Sequence, residues 1–258
     1  MLTFAAIAFV IVLWSVSTAV IFYLDSLPLS TFKYSMAAAT LLLLACAVSI
    51  ILLRKTHTDL AVAASFAAGL ISWGWTEMAL YMGYIIGPRK VRCADGCTGV
   101  HHFGHAVSAN LWHELVVIAF AIAIYLSGSQ TALWAYGMLW LMHLSARLNV
   151  FLGVRNVSVE FVPDHMEVLK GFLRRKPMNA LFPFSCLGLI ALTAYLISLP
   201  QTFEVSMAAT LSAIGLLEHV FLMLPLPIEK LFAWSLSRRA KTKPPETQSH
   251  HTAVGALL

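Results

Sequence analysis

The chain has 258 residues, of which 59% are hydrophobic and only 11% are charged, and its formal net charge is +5. A soluble domain carries about a quarter charged residues, so this composition and a mean hydropathy of +0.80 exclude a globular soluble protein. Apolar runs long enough to cross a bilayer recur along the sequence. The chain is therefore predicted to be an all-α, polytopic integral membrane helical bundle.

About seven membrane-spanning helices are predicted, because an open sheet cannot satisfy its backbone groups in lipid. The predicted spans are residues 3–24, 36–53, 59–86, 107–127, 132–153, 181–199 and 205–224. They are expected to form one helical domain over residues 1–240. Residues 241–258 are polar and contain two prolines, so they are expected to be a disordered cytoplasmic tail.

The basic residues predict the orientation of these spans. With seven spans, the connections at 25–35, 87–106 and 154–180 lie on the same side of the membrane as the tail after residue 225. Those segments hold 14 of the 17 Lys and Arg residues. Because such an excess marks the cytoplasmic side, the amino terminus is predicted outside and the carboxyl terminus inside. No nucleic-acid motif accompanies the basic loops, which are expected to face anionic lipid.

Several polar residues lie within the predicted spans, where ionisable side chains are costly and become functional candidates. By span topology they share the cytoplasmic half of the bilayer. They are Glu77 in the third span, His113 and Glu114 in the fourth, His143, Arg147 and Asn149 in the fifth, and Glu218 and His219 in the seventh.

These residues support two main interpretations, which the sequence leaves open. In the first, Arg147 pairs with Glu114 or Glu218 in a buried network that fixes the register of the helices. In the second, a histidine binds a metal ion or the central magnesium of a bacteriochlorophyll-type pigment, because neutral imidazole suits several metals. The candidates for that role are His113, His143 and His219. A proton or quinone relay is a third interpretation.

A second group of candidate ligands precedes the fourth span. Cys93, Cys97, His101, His102 and His105 fall within 13 residues, and the C-x3-C spacing is within the range that zinc sites use. The alternative is a set of solvated loop side chains. Histidines gathered at the cytoplasmic face also suggest a membrane metalloenzyme that acts on a pigment precursor or a lipid. The other adjacent histidine pair, His250-His251, lies in the predicted tail, so a protein without enzymatic activity is favoured.

The chain also resembles a known family in several separated blocks that keep their order. The blocks are Ser72–Glu77 (SWGWTE), Gly87–Arg89 (GPR), His113-Glu114, Leu144–Asn156 (LSARLNVFLGVRN), Phe161–His165 (FVPDH), Met178-Asn179 and Leu181–Pro183 (LFP). This wording resembles the PuhE family, which are photosynthetic complex assembly proteins of purple phototrophic bacteria. The resemblance runs from the third span to the sixth.

The resemblance implies a role in assembling the photosynthetic reaction centre–light-harvesting core, with a link to bacteriochlorophyll supply or handover. It implies reaction-centre or light-harvesting subunits or other assembly factors as partners, and a location in the bacterial inner membrane. It implies no demonstrated enzymatic activity. Glu77, His113, Glu114 and Arg147 are both within the membrane and within the matched blocks. Asn149, Arg155 and Asn156 are expected to support the inner end of the fifth span.

Overall fold

The computed structural model describes residues 2–93, 97, 99–157 and 162–224, and these residues form a helical bundle. Apart from an isolated bridge between Val154 and Arg175, every regular element among them is helical, which confirms the all-α class. The predicted tail at 241–258 lies outside the described residues. The helices are α1 (Leu2–Asp25), α2 (Phe32–Leu53), α3 (Asp59–Tyr81), α4 (Gly99–Ser127), α5 (Gln130–Leu152), the single turn α6 (Glu167–Lys170), α7 (Leu181–Ser198) and α8 (Phe203–Phe221).

Within the described part of the chain, four segments are long and apolar enough to cross a membrane, as expected for an integral membrane protein. They are Thr3–Asp25, Leu29–Leu53, Gly99–Ser127 and Leu181–Ser198. Large apolar side chains on these helices point outward, as Phe4, Leu41 and Tyr195 do. Such surfaces suit lipid and would be unfavourable in water. The count of seven spans and the orientation of the termini stay predictions.

The other three long helices, α3, α5 and α8, are less apolar because they bury polar side chains against one another. Thr76 and Asn149 are fully buried, and Glu77, Ser212 and His219 are also buried. Each of these helices contacts the other two, and α3 additionally contacts α1, α2 and α4. Polar groups within a membrane face protein rather than lipid. Low hydropathy in these helices therefore reflects their place in the bundle interior.

The close approach of α3 and α5 depends on Gly69. A β-carbon at this position would overlap the carbonyl oxygen of Ala132, so the small side chain lets the two backbones touch. One turn further along, the Trp73 ring packs edge-on against Tyr136 with centroids 5.7 Å apart. The Tyr136 hydroxyl donates to the carbonyl of Val117 on α4 at 3.0 Å. These contacts hold three helices together just above the charged residues described below.

Two helix ends differ from the predicted spans for physical reasons. Helix α3 ends at Tyr81 rather than near residue 86, because Gly83 takes a left-handed φ of 82°. Helix α4 begins at Gly99 rather than near residue 107. Its 29 residues extend about 44 Å, which exceeds the roughly 30 Å hydrocarbon core. The polar first turns of α4 are therefore helical but have room to lie beyond the apolar core.

Reporter fusions test the seven-span topology. Alkaline phosphatase, which folds only outside the cytoplasm, should be active when fused after Thr56, Gly128 or Gln201. It should be inactive when fused after Lys90 or Pro177, where a green fluorescent protein reporter should instead be bright. The opposite pattern at any one of these sites would mean a wrong span count or orientation.

Candidate functional site

Five charged or titratable side chains from α3, α4 and α5 meet in what we call the ion cluster. Arg147 donates from Nη1 to Glu114 Oε1, and its Nη2 lies 2.7 Å from His143 Nε2. His113 lies between two carboxylates, with Nε2 3.3 Å from Glu77 Oε1 and Nδ1 3.6 Å from Glu114 Oε1. His143 Nε2 is also 3.5 Å from Glu77 Oε2. The structure thus brings together five of the residues predicted to share one depth.

The hydrogen bonds of the ion cluster determine the protonation state of His143 but not that of His113. A guanidinium only donates, so His143 Nε2 accepts from Arg147 and the His143 ring is neutral with its proton on Nδ1. The cluster then holds two carboxylates, Glu77 and Glu114, but only one fixed positive charge, that of Arg147. A buried site disfavours uncompensated charge, so one further proton balances the cluster. His113 lies between the two carboxylates and is therefore placed to carry this additional proton.

The ion cluster has a sealed part and an open part. The side chains of His113 and Glu77 are 1% and 9% exposed, whereas those of Glu114 and Arg147 are 28% and 27% exposed. No hydrogen bond reaches either ring nitrogen of His113 among the described residues, so its contacts with the carboxylates lack hydrogen-bond alignment. A ligand is therefore expected to bind at Glu114 and Arg147, which we call the open pair.

The open pair lines a cavity of about 270 Å³ between α3, α4, α5 and the loop that follows α5. Asn110, Glu114 and Arg147 supply its main polar groups. The rest of the wall is mostly apolar and includes Leu80, Phe103, Leu148, Phe151, Leu169 and Phe172. A mostly apolar cavity with a few converging polar groups is the usual form of a binding site.

His219 belongs to a second, separate network. Its Nδ1 lies 2.8 Å from the carbonyl oxygen of Gly215, and its Nε2 lies 3.0 Å from Ser145 Oγ. Ser145 in turn bonds Ser185 on α7 at 3.0 Å, and Asn149 Nδ2 donates to Ser185 Oγ at 2.9 Å. Because both ring nitrogens are occupied, His219 has none left for a pigment or metal without breaking this network. Neither serine was among the predicted site residues, although Ser145 lies in the matched block Leu144–Asn156.

Glu218 joins neither network. It is exposed on α8, since it is one residue, or about 100° of helix rotation, away from the buried His219. It makes no hydrogen bond or ion pair within the described ranges. Of the two partners predicted for Arg147, the structure therefore selects Glu114.

The loop after α5 is fastened at both ends by asparagines from the matched blocks. Asn156 donates from its backbone to the Leu222 carbonyl at 2.9 Å and from its side chain to the Phe221 carbonyl at 3.1 Å. Asn179 donates to the carbonyls of Asn149 and Gly153, while its Oδ1 accepts from two backbone groups at the start of α7. These bonds satisfy helix ends that would otherwise be bare. Arg155 is exposed.

The cysteine candidates before α4 and the histidine candidates in its first two turns also come together, except for His101. The ligand atoms of Cys93, Cys97 and His102 all lie within 4.8 Å of one another. His105 Nδ1 is 3.2 Å from Cys93 Sγ and 3.5 Å from Cys97 Sγ. Partial burial and the adjacent Cys93 raise the pKa of the Cys97 thiol. His101 is exposed and lies outside this group.

Comparisons with known proteins assign the chain to a family. Residues 1–243 match the family DUF3623, described as proteins of unknown function. The chain belongs to this family. It is also 31% identical over 183 residues to an uncharacterized 30.4 kDa protein in the puhA 5′ region of Rhodobacter capsulatus, a match that covers 67% of each chain. No solved structure matches the chain.

A double-mutant cycle tests the ion pair in the cluster. Arg147→Leu and Glu114→Gln should each destabilise the detergent-purified protein, because each leaves the other charge without its partner. Combining them should recover part of the loss, with a coupling energy of about 0.5–3 kcal/mol, measured by thermal or chemical denaturation. Glu218→Gln is the matched control and should leave stability unchanged. Strictly additive effects of the two substitutions would contradict an ion pair between Arg147 and Glu114.

Proposed function

We propose that this chain is a non-enzymatic assembly factor for the photosynthetic reaction centre–light-harvesting core in the bacterial inner membrane. It acts by binding a core subunit or by handing over a bacteriochlorophyll-type pigment. The observation that carries this proposal is the relative from Rhodobacter capsulatus, whose description places it in the puhA 5′ region. That location links the family to a photosynthetic gene cluster, and the resemblance of the matched blocks points to the same process.

The cavity supports binding of an amphipathic partner. Its apolar walls suit a hydrocarbon group, while Glu114 and Arg147 offer an acceptor and a donor for a polar end. At about 270 Å³ it falls just below the roughly 300–1,000 Å³ of sites that enclose a whole small molecule. It therefore suits one protruding group of a pigment, lipid or protein partner. Partial enclosure fits a handover role, in which the bound molecule must also leave.

The placement of the histidines supports binding through the open pair rather than ligation of magnesium in the bundle. His143 accepts from Arg147, and His219 is bonded through both nitrogens. His113 faces two carboxylates and is sealed from the cavity side. Magnesium ligation by any of the three would require these contacts to be broken. Arg147 and Glu114 are the members of the ion cluster that line the cavity.

A histidine-rich membrane metalloenzyme is the competing proposal. The cysteine and histidine donors near α4 favour a structural rather than a catalytic metal site. Catalytic zinc sites keep one coordination position open for water or substrate. Cys93, Cys97, His102 and His105 supply four donors, which would fill a tetrahedral ion. Such a site stabilises structure, and this supports the non-enzymatic proposal.

Deletion and complementation test the assembly role. In a phototrophic host that encodes this chain, deletion should lower the near-infrared absorbance of the core complex, and the wild-type gene should restore it. Complementation with the Arg147→Leu, Glu114→Gln double variant should restore protein abundance, because neither charge is left without its partner. It should not restore core absorbance, because the polar end of the cavity is lost. Glu218→Gln should restore both. Normal core absorbance in the deletion strain would contradict the proposal.

Purification under mild detergent tests the partner directly. The tagged wild-type chain should retain reaction-centre or light-harvesting subunits, bacteriochlorophyll-type absorbance, or both, as judged by mass spectrometry and absorption spectra. The Arg147→Leu, Glu114→Gln double variant should retain less of either at equal protein yield. Absence of both from the wild-type preparation would count against a direct role in assembly.

A further inference from the structure

We propose that Cys93, Cys97, His102 and His105 bind one structural zinc-class divalent ion at the cytoplasmic end of α4. This inference goes beyond the proposed function and does not depend on it. The four side chains come from a connecting loop and from the first two turns of one helix. We refer to them as the zinc cluster.

Two distances within the zinc cluster lie close to those of a tetrahedral site, and the others are longer or looser. With zinc–sulfur bonds near 2.3 Å and zinc–nitrogen bonds near 2.0–2.1 Å, neighbouring ligand atoms should lie roughly 3.4–3.8 Å apart. His105 Nδ1 lies 3.2 Å from Cys93 Sγ and 3.5 Å from Cys97 Sγ. The ligand atoms of Cys93, Cys97 and His102 lie within 4.8 Å of one another. Binding of one ion by all four donors therefore requires the side chains of His102 and His105 to rotate towards a common point.

The sequence spacing explains how four donors converge here. His102 and His105 are three residues apart on α4, and residues at this spacing share a helix face. His101 is four residues before His105, so spacing alone would allow it as a ligand, but its side chain is exposed, unlike the buried His102. The two cysteines approach the same face from the preceding loop. In the cytoplasm, where the predicted topology places this loop, cysteines stay reduced and are more often metal ligands than disulfides.

An independent observation concerns His102. It is 5% exposed, and no hydrogen bond reaches either ring nitrogen among the described residues. Its ring stacks on Phe151 with centroids 5.3 Å apart and tilts against Phe172 at 5.2 Å. A buried imidazole without a partner is costly. A metal ion would satisfy one nitrogen, while the two phenylalanines hold the ring in place.

The zinc cluster is placed to organise the cytoplasmic mouth of the cavity. Phe151 and Phe172, which hold His102, also line the cavity. The loop that carries the cysteines is tied to the opposite loop by a 2.7 Å ion pair between Arg92 and Glu167. An ion bound by all four donors would lock the first loop to α4 and, through His102, support the cavity wall. Four protein ligands leave no open position, so the role is structural.

Metal analysis of the full-length chain tests this site, with His101→Ala as the matched control. After incubation with Zn²⁺ under reducing conditions and gel filtration in detergent, wild type and His101→Ala should each retain about one zinc per chain. Cys93→Ser and His102→Ala should weaken Zn²⁺ binding by more than the roughly 10–100-fold that loss of an outer partner costs. Zinc content well below one equivalent in wild type, or equal content in all four proteins, would overturn the proposal.

Alkylation gives a second measurement on the wild-type chain alone, which stays informative if a variant fails to fold. Zn²⁺ should protect Cys93 and Cys97 from a maleimide reagent, as read by peptide mass spectrometry. Cys46 and Cys186 are on other helices and should label equally with and without the ion. Equal labelling of Cys93 and Cys97 under both conditions would contradict the site.

Discussion

The permanent positive charge of Arg147 within the bundle is the constraint on which the rest of the site depends. A guanidinium stays protonated, and in an apolar surrounding it needs a carboxylate close by. Glu114 supplies that carboxylate from α4, and His143 accepts a second bond on α5 itself. The pairing draws α4 against α5, and His113 then reaches Glu77 on α3. One charge thereby joins a cluster of side chains from three helices.

The surroundings of the ion cluster change steadily towards the predicted cytoplasmic side. The innermost pair, Glu77 with His113, is sealed, while Arg147 opens into an apolar cavity. Phe151 and Phe172 then connect the cavity wall to His102. Charge, cavity and candidate metal ligands therefore form one continuous arrangement. It is suited to holding a partly apolar molecule near the membrane surface, as the proposed assembly role requires.

Several of the matched motifs have a plain mechanical role. A β-carbon on Gly87 would overlap the carbonyl of Ser108, and the backbone nitrogen of Gly87 donates to the Ala109 carbonyl at 2.7 Å. Asn156 and Asn179 close the exposed ends of α8, α5 and α7. These residues hold loops against helix ends. The motifs therefore describe a scaffold as much as a site, and the chemistry is concentrated in the ion cluster.

The sequence by itself determined the helical class and the approximate positions of the long helices, and it predicted that the polar residues share one depth. These depend on local hydropathy and on distance along the chain, which can be counted. Only the tertiary structure decided that Arg147 pairs with Glu114 rather than Glu218, that His219 bonds Ser145, and that His102 is buried while His101 is exposed. Those outcomes depend on how each helix is rotated about its axis and which neighbour it meets. In helices that are apolar on nearly every side, periodicity carries little information about that rotation.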